Sequence, residues 1–464
     1  MIFDKKKREI IKLIKNGEFS RALSLLKEVV NREPSNIEMR IELARLYFKS
    51  EDLPNTQATL KGCLSYRLSK EDVNKILEIT NRYRLVSDKY FNFDLDFSPE
   101  GDKIVYVSVR RDTDGDGKFT MNDCGGIYIY DLKKHLETQI VSDSYYNSSP
   151  KFSPDGKRVV YLSARVDSDG DGRITSRDSA NIYIFDLERG EEKVFFLSGW
   201  RAKHPSLHRD NKKILYCGWK PGKVTSHVYI FDIESNLTYE IGHERYDHTF
   251  PNFSPDGNSV VYSSWRLDTN GDGKIDIRDN SGIYLYNLTT KEERQLVSEK
   301  YDNRFPTFSF DGKYVVYLSR RRDTNRDGVI NSFDNPGIWV IDVRSGKEQC
   351  VVSDEFYNGF PTFLYDNKRI VYTGSWRREK DEDEEVRDYF EHKGIYCKGV
   401  NERSEIQIVN EKYYSCREIV SSPVDSKIAY IASRNKYRGI YIADVDNLPD
   451  NDMLYKIIEN NLSE

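Results

Sequence analysis

A block of about 55 residues recurs along most of this 464-residue chain, and no other feature narrows the fold as far. Tyr90, Tyr145, Trp200, Tyr246, Tyr301, Phe356 and Tyr413 mark seven copies at successive intervals of 55, 55, 46, 55, 55 and 57 residues. Four copies go on to a turn and an apolar run: FSPEGDKIVYVS from Phe97, FSPDGKRVVYLS from Phe152, FSPDGNSVVYSS from Phe253 and FSFDGKYVVYLS from Phe308. Pro-Asp-Gly makes a tight turn, because Pro fixes φ and Gly accepts a left-handed backbone. Short β-branched and aromatic runs bounded by such turns read as strands. A second run follows (GIYIYDL, NIYIFDL, GIYLYNL, GIWVIDV), and then a third such as TQIVS or RQLVS. The other copies, near Leu207–Ile233, Phe363–Val400 and Ser421–Val445, keep this strand order. One unit cannot cover both faces of its own sheet, so the units have to stack on one another.

Radial stacking of four-stranded units at this period predicts a mainly β fold, a seven-bladed β-propeller. The F-S-P-D-G turn, the Val-Tyr-Leu-Ser strand and the Ile-Tyr strand resemble the TolB-type, WD-like propeller repeat over residues 90 to about 460. That resemblance implies the fold and leaves function open. Repeats of this kind serve in scaffolds, in secretion and envelope proteins, and as the non-catalytic domain of some peptidases. Two segments are candidates for closing the ring, Tyr83–Ser87 and Leu454–Ile458. Either would remove an exposed sheet edge.

Copies one, two, four and five carry an acidic insertion between the first and second runs. Its oxygens stand at alternate places: Asp112, Asp114 and Asp116; Asp167, Asp169 and Asp171; Asp268, Asn270 and Asp272; Asp323, Asn325 and Asp327. A glycine occupies place 6 of each, the backbone of Lys118, Arg173, Lys274 or Val329 stands at place 7, and Asp123, Asp178, Asp279 or Asp334 at place 12. Oxygen donors at this spacing can surround one hard cation, and the loops resemble those of EF-hand and dockerin proteins. About four Ca2+ ions per chain are expected, acting first as staples of long loops. The run Lys380–Glu385 in the sixth copy keeps acids but no turn glycine, and reads as a solvated loop.

The segment before the repeats has helical periodicity. Gly17, Phe19, Ala22, Leu26, Val29 and Pro34, followed by Leu43, Ala44, Tyr47 and Leu60, resemble tetratricopeptide repeats. Asn36 and Ser69 are the expected helix N-caps, the latter with Asp72 three places on. The chain therefore divides into a helical domain, 1–82, and a propeller, 83–464. A net charge of -5 argues against a general nucleic-acid binder. No stretch approaches the roughly 20 apolar residues of a membrane span. The first residues lack a signal-peptide core, so a cytoplasmic protein is expected, with an exported or periplasmic one as the alternative because calcium loops need calcium. Six scattered cysteines show no metal or redox spacing.

Blade topology predicts that the acidic loops and the segments entering each blade share one face. Tyr145, Tyr146, Tyr246, His248, Tyr301, Arg304 and Tyr357 lie in entering segments. A cation follows the first run in every copy: Arg110, Arg165, Lys220, Arg266, Arg321, Arg377 and Arg434. These cations either pair with acids in their own or a neighbouring loop or draw an anionic group into the mouth. The main expectation is a non-enzymatic, calcium-stabilised scaffold. It would bind a protein or peptide through this face or the helices, and would have no catalytic residues. No G-x-S-x-G elbow is present. The alternative is a polysaccharide-processing, lyase-like enzyme using His204 and His248 beside a central channel.

Overall fold

The computed structural model describes residues 2–15, 18–50, 52–79, 83–87, 89–195, 201–220, 225–326, 328–375, 394–410, 415–434, 437–446 and 458. Asp327, Trp200, Tyr413, Arg377 and the run Lys380–Glu385 lie outside these residues, as does the side chain of Arg434. The chain divides into two compact units, Met1–Val86 with Tyr441–Glu464, and Ser87–Ile440.

The first unit contains, among the described residues, the helices Ile2–Lys15, Phe19–Arg32, Ile37–Lys49, Leu53–Cys63 and Lys70–Ile79. The apolar faces of the first three meet in one core that includes Leu13, Ala22, Leu26, Val29, Met39, Leu43 and Tyr47. Asn36 caps the third helix, its side chain accepting from the Met39 amide at 3.1 Å. Ser69 and Asp72 cap the last one reciprocally: each amide donates to the other's side chain, at 2.9 and 3.1 Å. Strand Tyr83–Val86 pairs with strand Tyr437–Asp444, so the segment just before the repeats joins the last sheet. Of the competing segment Leu454–Ile458, only Ile458 is among the described residues.

The second unit is a propeller-like arrangement of four-stranded antiparallel sheets, each running in chain order. Five are separate. The strands of the first and last copies are joined in one larger sheet by a single parallel pair, Phe91 with Arg438. Phe91–Phe97, Tyr146–Phe152, Arg201–Leu207, Asp247–Phe253 and Asp302–Phe308 pack successively side by side. Ser415–Ser421 packs beside both Asn358–Phe363 and Phe91–Phe97, which brings the seventh inner strand back to the first.

The second strand of each copy is buried along nearly its whole length and mostly apolar, because neighbouring sheets cover both of its faces. Tyr106, Tyr161, Tyr216, Tyr262, Tyr317, Tyr372 and Tyr430 at their centres are fully buried. Tyr161 stacks on Tyr183 at 5.5 Å between ring centroids, and Tyr372 on Tyr396 at 5.7 Å. A buried hydroxyl needs a partner. Tyr106, Tyr161, Tyr262 and Tyr372 find it in Glu137, Glu192, Glu293 and Glu405, which reach in from the outermost strand.

Candidate active site

Every inner strand breaks its ladder at the same place. Pairing with the second strand skips two residues between Phe93 and Asp96, Ser148 and Lys151, Lys203 and Ser206, Thr249 and Asn252, Arg304 and Thr307, Gly359 and Thr362, and Arg417 and Val420. The first skipped residue always has positive φ: Asp94 (57°), Ser149 (53°), His204 (53°), Phe250 (54°), Phe305 (58°), Phe360 (48°) and Glu418 (49°). A left-handed backbone costs a residue with a Cβ about 1–2 kcal/mol, and glycine would relieve it. None of the seven positions holds glycine. Bulges of this kind re-aim a side chain, and here they gather seven into one cavity of about 440 Å3 lined by all seven inner strands.

Five of the bulges continue with proline: Pro150, Pro205, Pro251, Pro306 and Pro361. Proline has no amide to leave unpaired, and it keeps the residue before it out of the right-handed helical region. A proline two places before the strand anchor was thus a legible sign of the bulge, and the sequence reading passed over it.

The cavity has two unlike arcs. Glu418, Asp94, Ser149 and His204 form one, Phe250, Phe305 and Phe360 the other. The acids link successive strands: the Asp94 amide donates to Glu418 Oε2 and the Ser149 amide to Asp94 Oδ2, each at 2.6 Å. Burial pushes both carboxyls above the ordinary range, and the charge of Asp94 raises Glu418 further, to about 7, so this pair retains a proton near neutrality. Enclosure, with the charges of Lys203 and Lys151, lowers His204 to about 4 and keeps its imidazole neutral. Its ring lies 5.6 Å from that of Phe250. Two residues after Ser149, Lys151 Nζ pairs with Asp96 Oδ1 at 2.9 Å, and its neighbouring acids keep it charged. The arc therefore offers a neutral base, a proton-bearing carboxyl pair and a fixed cation.

His248 does not join His204. It sits two residues before Phe250, fully buried, hydrogen-bonded to Ser264 Oγ at 2.9 Å and to the His243 carbonyl at 3.0 Å. Asn147, Asn303 and Asn358 occupy that place in other copies and donate to the carbonyls of Ser142, Ser298 and Ser353. His248 does the same stapling work, and burial lowers it to about 3.

Among the described residues, five of the predicted cations and three of the entering aromatics are paired within their own copies. Arg110, Arg165, Arg266 and Arg321 bind Glu137, Glu192, Glu293 and Glu348 at 2.5–2.9 Å. Lys220 binds Glu240 at 2.9 Å. These acids come from the outermost strand of the same sheet, not from the acidic loops. Tyr145, Tyr246 and Tyr301 then cover Arg165, Arg266 and Arg321 at 4.5, 5.5 and 5.0 Å. Tyr146 is buried, and Arg304 is tied to Asp302 at 2.8 Å and lies over Trp265. Tyr357 lines an adjoining cavity of about 470 Å3 together with Phe305 and Phe360.

In the first two acidic loops, Asp112, Asp114 and Asp116, and likewise Asp167, Asp169 and Asp171, bring one oxygen each within 4.8 Å of one another. Both groups can chelate a divalent ion. They are the only groups of three or more His, Cys, Asp or Glu so placed among the described residues, and neither lies in the cavity. Asn270 takes the middle place of the third loop, where Arg278 pairs with Asp272 at 3.1 Å. The place-12 acids are buried and hold the loop together. Asp123 accepts from the amides of Thr113, Asp114 and Thr120 at 2.7, 3.1 and 2.9 Å, and Asp178, Asp279 and Asp334 repeat the pattern.

Residues 13–62 match the tetratricopeptide repeat family model. The chain is 22% identical over 219 residues to the uncharacterized peptidase YuxL of Bacillus subtilis, covering 42% of this chain and 32% of that protein. It is 26% identical over 200 residues to the Tol-Pal system protein TolB of Francisella tularensis, covering 42% of this chain and 40% of TolB. The chain thus spans well under half the length of these relatives. Among solved structures, an oligogalacturonate lyase in complex with manganese superposes with a TM-score of 0.55 at 16% identity, over 79% of this chain and 93% of the lyase. The β-propeller domain of the Trilobed protease from Pyrococcus furiosus superposes with a TM-score of 0.53 at 15% identity, over 77% of this chain and 96% of that domain. A distant TolB-like propeller homology and a tetratricopeptide-like region are therefore shown. These comparisons correct the expectation of a non-enzymatic scaffold. Peptidases and a lyase recur among the proteins that share this sequence or propeller, and the cavity holds titratable groups of the kind that acid–base catalysis uses.

Proposed function

We propose that this chain is a propeller enzyme that cleaves uronate-containing oligosaccharides by β-elimination, with its active site in the central cavity. The observation that carries the proposal is one arc holding a neutral imidazole, a protonated carboxyl pair and a lysine, facing an aromatic arc. Lys151 neutralises the substrate carboxylate. His204 Nδ1 or Nε2 takes the proton from the carbon beside it, the C–H electrons form a C=C bond, and the C–O bond at the β-carbon breaks. The Glu418–Asp94 pair delivers its proton to the leaving oxygen. A substrate carboxylate next to His204 favours the imidazolium and so raises the basicity of this histidine when it is needed. The test is mass spectrometry of a digested uronate tetrasaccharide. Elimination gives fragments whose masses sum to that of the substrate. Fragments heavier by one water mean hydrolysis, and intact substrate with every uronate tried removes the proposal.

Further readings rest on the same molecule. The seven inner strands and the pairing of Tyr83–Val86 with the last sheet support a seven-bladed closed ring over residues 83–464. The convergent aspartates support calcium in the first two loops, and the repeated sequence extends that reading to the third and fourth. The tetratricopeptide match supports a protein partner for residues 1–82, as does the similarity to a Tol-Pal system protein. That similarity also favours the exported or periplasmic alternative, where calcium is available. Among the described residues no helix is long and apolar enough to cross a membrane.

A further inference from the structure

We infer that Phe250, Phe305 and Phe360 form a stacking subsite that takes the C–H face of a pyranose ring and thereby presents the scissile linkage to the opposite arc. The inference rests on the reading of the cavity as a saccharide site. The three rings come from consecutive inner strands and occupy the same left-handed bulge position. Phe250 and Phe305 meet at 4.1 Å between centroids with planes 43° apart, a tilted contact that extends the wall. Phe305 and Phe360 leave 43% and 42% of their surfaces exposed, although both face into the molecule. Core packing does not explain them, since a core phenylalanine is covered and adopts an unstrained backbone. Aromatic rings held in a strained conformation with one face open point to a ligand. A sugar ring suits that geometry. Its C–H face is apolar while its edge carries hydroxyls and carboxylate, which matches an aromatic wall set against a hydrogen-bonding arc.

Saturation-transfer NMR of a uronate trisaccharide on the His204→Ala protein tests this. Saturation of the aromatic protons should reach the ring hydrogens of one sugar face. Phe305→Ala and Phe360→Ala should each weaken binding about 3- to 10-fold, and Phe305→Trp should restore it at an unchanged melting temperature. Trisaccharide binding that is equally tight in both alanine variants overturns the subsite. A neutral trisaccharide that shows the same one-faced saturation, with no uronate eliminated by the wild type, keeps the subsite and removes the proposed chemistry. Absence of binding by either sugar overturns both.

Discussion

At the scale of single residues, the cavity and its neighbours separate by protonation. The raised carboxyl of Glu418 favours the folded state fully below the unfolded value of 4.5, and that contribution is lost as pH rises through about 7. His204 and His248, lowered to about 4 and 3, act in the opposite direction. Their contribution is full above 6.5 and is lost as pH falls through those values. Glu418→Gln should therefore gain stability relative to wild type as pH is raised from about 5 to 8, read as the urea midpoint at each pH. A parallel pair of curves would show that Glu418 is not held protonated. His248 gives a second prediction. Because asparagine fills its place in other copies, His248→Asn should stay within about 1 kcal/mol of wild type, whereas His248→Ala should lose about 1–3 kcal/mol. Equal losses in urea denaturation would mean that asparagine does not take over the stapling hydrogen bonds of His248.

The elements show how far the sequence could be read. The Pro-Asp-Gly turns, the doubly buried second strands and the helix caps at Asn36 and Ser69 were legible because each depends on neighbours in the chain. The acidic loops were legible as a spacing, and Asp112, Asp114 and Asp116 do converge. What they bind, and the stapling role of Asp123, depend on contacts that spacing does not report. The side chains that line the cavity were mostly hidden. Asp94, Glu418 and the three phenylalanines have no common residue type, since the backbone bulge repeats and the chemistry it presents changes from copy to copy. Only His204 was singled out, and it was given the wrong companion. Tyr145, Tyr246 and Tyr301 looked like a recognition surface, but each covers an arginine whose acid lies 27 residues further along. For the acidic loops, Asp171→Ala should lower the calcium count by one in native mass spectrometry and raise proteolysis between Ser168 and Asp178. An unchanged count removes the second loop as a site.

On the scale of the whole molecule, the propeller supplies something that no single sheet can. Seven inner strands with the same bulge bring five kinds of side chain to one cavity, and tyrosine–glutamate–arginine networks hold the sheets around them. We propose that His204, and not the buried His248, carries proton abstraction. Its most direct test is the rate at which the conjugated double bond of an eliminated uronate appears in the ultraviolet, measured for wild type, His204→Ala and His248→Asn at equal concentrations. Product should appear from wild type and from His248→Asn at comparable rates, with a loss of about 100-fold or more for His204→Ala. Product from His204→Ala at the wild-type rate would contradict it.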